Sequence, residues 1–198
     1  MQTRGQPFIY ITGGCRSGKS AYAQRLAEYL SPGRLYLATA EFQDETDEAD
    51  NTDKAMRERI RLHQATRGPG WRTHEARPGD DAALLAALPD LCRPGETLLL
   101  DCLTLWAAGH MREDQAPPDF AARCDTLLEG LWRLPCPVII VNNEVGMGVV
   151  PASAAGRNFR DMAGLAGQKT AAVATAAALM VSGLLLPLKG ILPNIDII

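Results

Sequence analysis

The chain has 198 residues, 20 Lys and Arg against 23 Asp and Glu, a formal charge of −3, and 46% hydrophobic residues. That is enough for one domain with a substantial core, read here over residues 1–198. The near-balanced charge gives no electrostatic basis for a nucleic-acid or anionic-membrane partner, and no uninterrupted apolar run reaches the roughly 18 residues of a membrane span.

The opening MQTRGQPFIYITGG runs straight into a strand and loop, which argues against a secretory leader. FIYIT (8–12) predicts a buried strand. GKSAYAQRLAEYL (18–30) predicts a helix with Ala21, Leu26, Ala27 and Leu30 on one side, closed by SPG. RLYLATA (34–40) is a second buried strand. The acidic stretch 41–53 reads as a mobile surface loop, and 53–67 as a helix that Asp53 could cap.

WRTHEA (71–76) is a short strand and DDAALLAAL (80–88) a helix with acidic residues at its start, where the dipole favours them. ETLLLDCL (96–103) is a buried strand ending at Asp101. Residues 118–134 form an amphipathic helix, and PVIIVNNEVG (137–146) a buried strand entering a turn. Residues 156–177 read as a helix that becomes alanine-rich, 178–183 as a last core strand, and LPLKG as the start of a hairpin return. Strands alternating with helices predict an α/β fold with a mostly parallel sheet covered on both faces. Cys15, Cys92, Cys102, Cys124 and Cys136 contain no C-x-x-C pair and are odd in number. They read as reduced thiols of a cytoplasmic protein.

GGCRSGKS follows the first strand and opens the first helix. Gly13, Gly14, Cys15, Arg16, Ser17, Gly18, Lys19 and Ser20 fit G-x-x-x-x-G-K-[ST] with nothing missing. Glycines let the backbone aim its N–H groups at phosphate oxygens, and the helix adds a positive dipole end. Lys19 can reach the β- and γ-phosphates, and Ser20 can bind Mg²⁺. Asp101 ends a buried strand, where open α/β sheets place ligands, and suits a second Mg²⁺ contact or a plain turn cap. Asn143 and Glu144 lie at a similar strand end and could orient substrate or merely shape the turn. These features imply a P-loop NTPase-type fold but name no substrate.

His63 follows Arg57, Arg59 and Arg61 and precedes Arg67. Such cations could gather a polyphosphate for attack by a neutral imidazole, and the same pattern suits a solvated surface helix. The blocks GGCRSGKS, YLATAE, MRERIRLHQATR with W-x-T-x-E, DCLTLW and NEVGMGVVP with GRNFRDMAG occur in this order. Together they resemble the bifunctional adenosylcobinamide kinase / adenosylcobinamide-phosphate guanylyltransferase family of cobalamin biosynthesis, from about residue 8 to about 189. The resemblance implies a RecA-like single domain. It implies phosphorylation of adenosylcobinamide by a nucleoside triphosphate such as ATP, then transfer of GMP from GTP through a guanylylated His63 to adenosylcobinamide phosphate.

By the same resemblance Ala38, Thr39 and Ala40 contact nucleotide, while Gln64, Ala65, Thr66 and Arg67 help hold the GMP. Glu75 matches the acidic residue of W-x-T-x-E, and a carboxylate can accept two guanine N–H groups. Homotrimers are implied as well, and the apolar tail 191–198 suits docking on a neighbouring subunit. The chain departs from the family at Gly167-Gln168, where Asn-Gln is usual, and at Ala55, where a Glu is common. AAGH after DCLTLW lacks a usual Asn, and the alanines before the last strand lack a usual acidic residue. A monofunctional kinase or guanylyltransferase, or a GTP-binding regulator without catalysis, remain open on the residues alone. Trp71, Trp106, His74 and His110 read as packing or surface residues.

Overall fold

The computed structural model describes residues 5–39, 67–113, 115–193 and 195. The predicted acidic loop 41–53 and the helix at 53–67, up to residue 66, lie outside them. Seven strands form one sheet: β1 (Phe8–Gly13), β2 (Gly33–Ala38), β3 (Trp71–Glu75), β4 (Glu96–Asp101), β5 (Val138–Asn143), β6 (Ala176–Val181) and β7 (Leu184–Lys189). Their order is β3-β2-β4-β5-β1-β6-β7. All neighbours pair parallel except β6 and β7, which form an antiparallel hairpin.

Five described helices cover it: α1 (Lys19–Leu30), α2 (Asp81–Leu91), α3 (Leu103–Ala108), α4 (Phe120–Trp132) and α5 (Ala154–Val173). Alternation along the strands divides the core in two. Phe8, Leu35, Leu37, Leu98, Leu100 and Ile140 face α2 to α5, whereas Ile9, Ile11, Leu99, Ile139 and Val141 face α1. The α1 stripe that packs there is Tyr22, Ala23, Leu26 and Ala27; Ala21, expected inside, is exposed.

The β4 strand ends at Asp101, as expected, and α3, a helix the sequence did not announce, begins two residues later. The last helix ends at Val173, because the following alanines pair with β1 as strand β6. Its start moves to Ala154, where the Ser153 hydroxyl accepts from the Gly156 N–H at 3.1 Å and caps it. The described part of the tail, 191–193 and 195, meets the rest of the chain: Leu192 and Ile195 pack on the α1 side, and the Tyr22 hydroxyl donates to Pro193 O.

The expectation of five reduced thiols is also corrected. Cys92 and Cys136 form a disulfide that ties the end of α2 to the residue pair before β5, while Cys15, Cys102 and Cys124 are free. Their 44-residue separation gives no local sequence signal. Among the described residues no helix is long and apolar enough to cross a membrane.

A polar cluster locks three helices together. Asp81 accepts from the Trp106 indole at 3.0 Å and sits 2.9 Å from His110 Nε2 and 3.4 Å from Arg123. His110 is buried and reaches Trp106 O through its other nitrogen, so it is structural, as read. Burial alone would raise the Asp81 carboxyl, but His110, Trp106 and Arg123 outweigh it and hold it below its ordinary value. A carboxyl depressed by folding contributes stability that is present above its unfolded pKa and lost as pH falls through the folded one. In urea unfolding, Asp81→Asn should therefore be less stable than wild type near neutral pH, with the gap closing as pH falls from about 5 toward 2. A gap independent of pH would contradict this.

Candidate active site

The parallel register brings the strand ends to one edge. Gly13 pairs with Asn143, Asp101 with both Val141 and Ala38, and Ala38 with Glu75. Gly13 through Ser20, Ala38, Thr39, Glu75 and Asp101 are therefore all at the C-terminal edge of the sheet. Arg67 joins them from beside β3. Ala40, His63, Gln64, Ala65 and Thr66 lie outside the described residues.

The phosphate loop has the shape its glycines permit. A Cβ at Gly13 would lie 2.5 Å from Met180 O and 2.7 Å from Ser17 Oγ, so only glycine lets β6 close on the loop. Gly18 has φ +93, a left-handed conformation that favours glycine, and no side chain caps the start of α1. Those uncapped amides, with Gly14 open around its Cα, suit an anion. Lys19 is buried and its Nζ donates to Gly14 O at 3.0 Å, which folds it back over the loop. Ser17 Oγ is buried without a hydrogen-bond partner among the described residues.

Thr39 is 2% exposed. Its hydroxyl donates to Cys102 O at 2.6 Å and accepts from Cys102 N–H at 3.1 Å, which fixes the chain just after Asp101. The Cys102 thiol is pushed up to about 11 by burial and by Asp101, so it is held as a neutral thiol. Arg67 lies 3.5 Å over the Tyr36 ring and donates to Thr73 Oγ1. Burial lowers its pKa, and Tyr36 and Asp101 oppose that shift. The Tyr36 hydroxyl is raised far above its ordinary value by burial and then by Asp101. Glu75 is exposed at the end of β3, and Trp71 packs edge-on against Tyr36.

Sequence reading missed a second polar chain. The Asn143 N–H donates to Thr104 Oγ1 at 2.7 Å, Thr104 donates to Asn142 Oδ1 at 2.8 Å, and Asn142 Nδ2 donates to the Tyr10 hydroxyl at 2.9 Å. Tyr10 was readable only as one residue of a buried strand. The signal available was that it shares a face with Thr12, two residues on. This chain also accounts for Gly167: a Cβ there would lie 2.8 Å from the Tyr10 hydroxyl and 3.3 Å from Asn142 Nδ2.

A hydroxyl and a carboxylate, Ser20 and Asp101, suit Mg²⁺, which takes one or two protein oxygens and completes its shell with phosphates and water. The edge as a whole can hold a triphosphate by backbone amides and Lys19, with a carboxylate beyond it.

Residues 9–188 match the family model described as cobinamide kinase / cobinamide phosphate guanyltransferase. A bifunctional adenosylcobalamin biosynthesis protein, CobP, of Pseudomonas aeruginosa is 39% identical over 180 residues, 91% of this chain and 96% of that one. The CobU proteins of Salmonella typhimurium and Escherichia coli, of the same description, are 36% and 34% identical and are each covered to 99%. Among solved structures, the type III secretion ATPase EscN of enteropathogenic E. coli aligns with a TM-score of 0.55 at 12% identity, covering 91% of this chain and 48% of that one. That likeness speaks to the fold alone.

The Gly167 contact generates a prediction. Gly167→Asn alone should lower stability by about 1–3 kcal/mol, the usual cost of overpacking. Tyr10→Phe in the same chain removes the opposing oxygen and should recover part of that loss in thermal unfolding. Additive losses would refute the contact.

Proposed function

The chain belongs to the cobinamide kinase / cobinamide phosphate guanyltransferase family, and from that premise we propose how its residues serve the two reactions. It is a bifunctional kinase and guanylyltransferase of cobalamin biosynthesis. The observation that carries the residue assignment is the phosphate loop on the same sheet edge as Asp101, Thr39 and Glu75. We read the fold as the P-loop NTPase type, RecA-like, over a single domain.

In the kinase step ATP or another triphosphate lies on residues 13–20, and Lys19 turns from Gly14 O to the phosphates. A hydroxyl of adenosylcobinamide receives the γ-phosphoryl group. Positioning and charge neutralisation supply most of the catalysis. Mg²⁺, when bound, neutralises phosphate charge, and Ser20 and Asp101 would hold it.

In the guanylyl step the His63 imidazole attacks the α-phosphorus of GTP and pyrophosphate leaves. The phosphoramidate then passes GMP to the phosphate of adenosylcobinamide phosphate, giving adenosyl-GDP-cobinamide. Splitting the transfer replaces one hard displacement by two easier ones. Arg67 and the 64–66 segment support the GMP, and Glu75 accepts from guanine N–H groups. The support for Glu75 is its exposure at the ligand-facing edge.

A homo-oligomer, a trimer by family resemblance, is part of this reading. The edge strand β7 exposes Leu184, Leu186 and Leu188, and Met147 and Val149 are exposed too. An uncovered apolar edge of this kind otherwise invites aggregation.

The reading is tested by following products from adenosylcobinamide, ATP and GTP by chromatography. Wild type should form the phosphate and then the GDP derivative. His63→Ala should accumulate the phosphate and form no GDP derivative. Normal GDP-cobinamide formation by the variant would remove His63 from the mechanism.

A further inference from the structure

Beside the phosphate loop a cleft of ≈ 300 Å³ opens between β1, β5 and α5. Tyr10, Thr12 and Asn142 line it, with the 143–146 turn and Gly164 and Gln168 of α5. The cleft is attached to the loop: Glu144 N–H donates to Gly13 O at 3.0 Å. The Glu144 carboxylate is aimed by accepting the Gly146 N–H at 2.6 Å through Oε1. Among the described residues it has no ion-pair partner.

Charge decides what such a group can meet. A half-buried carboxylate without a cation repels a triphosphate, so it is a poor phosphate ligand. It is well suited to a group with a proton to give. The rest of the lining is uncharged: hydroxyls and side-chain amides, with the apolar Val145, Ala163 and Ala171 between them. The volume is at the lower end for a small-molecule pocket, enough for one arm of a corrinoid and too little for its ring.

We propose that this cleft takes the hydroxyl-bearing arm of the kinase acceptor, and that Glu144 accepts the hydroxyl proton as the phosphoryl group is transferred. The alcohol oxygen bonds to the γ-phosphorus and the bond from that phosphorus to the β,γ-bridging oxygen breaks. ADP leaves, and the proton passes to Glu144 and then to water. The buried chain from Asn143 through Thr104 and Asn142 to Tyr10 holds the cleft wall in register. The inference rests on the kinase reading of the chain.

Its test is Glu144→Gln and Glu144→Asp, assayed for phosphorylation of adenosylcobinamide with ATP and, separately, for GMP transfer from GTP to adenosylcobinamide phosphate supplied ready-made. Removing a general base should lower kcat of the kinase step about 10²-fold or more in the Gln variant. KM for the acceptor should change little, and Asp should restore part of kcat. GMP transfer should stay at the wild-type rate. Kinase kcat unchanged in the Gln variant would overturn the assignment, as would an equal fall in both reactions, which would mark a structural role. If wild type itself phosphorylates no cobinamide, the kinase reading fails and this inference falls with it.

Discussion

The close, parallel contact of β1 with β5 on one side and β6 on the other is the constraint on which the site depends. It places Gly13 against Asn143 and Met180 at once. Because a Cβ at position 13 would meet Met180 O at 2.5 Å, the strand can turn into the phosphate loop only there and only as glycine. β5 in turn pairs with β4, and β4 with β2, so the register sets how far Asp101, Ala38 and Glu75 stand from the loop. Shifting one strand by a residue would invert its faces and scatter the edge.

Polar groups buried at the strand ends make that register costly to leave. Thr39 satisfies both backbone groups of Cys102, and Thr104 with Asn142 satisfies the end of β5. A buried polar group left unsatisfied costs about 1–3 kcal/mol, so each pairing penalises misplacement of the residue beside it. These bonds lie directly under Asp101 and Asn143. Stability and site geometry are thus set by the same few side chains.

The phosphate loop, its strand and its helix were legible because the pattern constrains backbone and chemistry together at fixed spacing. The place of Asp101 followed from an apolar run ending in a carboxylate, and the mostly parallel sheet from strands alternating with helices. Ala176 and Ala177 read as helix because alanine is a strong helix former, yet both pair with β1 in a strand. The start of α3 was hidden by the continuous apolar run across Asp101. The Cys92–Cys136 bond and the Tyr10–Gly167 approach join residues 44 and 157 positions apart, and only the fold brings them together. The family resemblance supplied the role of His63, which composition and spacing left between nucleophile and surface residue.

Guanylylation of His63 is read most directly by intact-protein mass spectrometry after incubation with GTP and Mg²⁺, with His63→Ala alongside. Wild type should gain the mass of one GMP, the adduct should disappear on adding adenosylcobinamide phosphate, and the variant should gain nothing. Wild type that binds GTP yet gains no mass, even with pyrophosphate removed, would contradict guanylylation of His63.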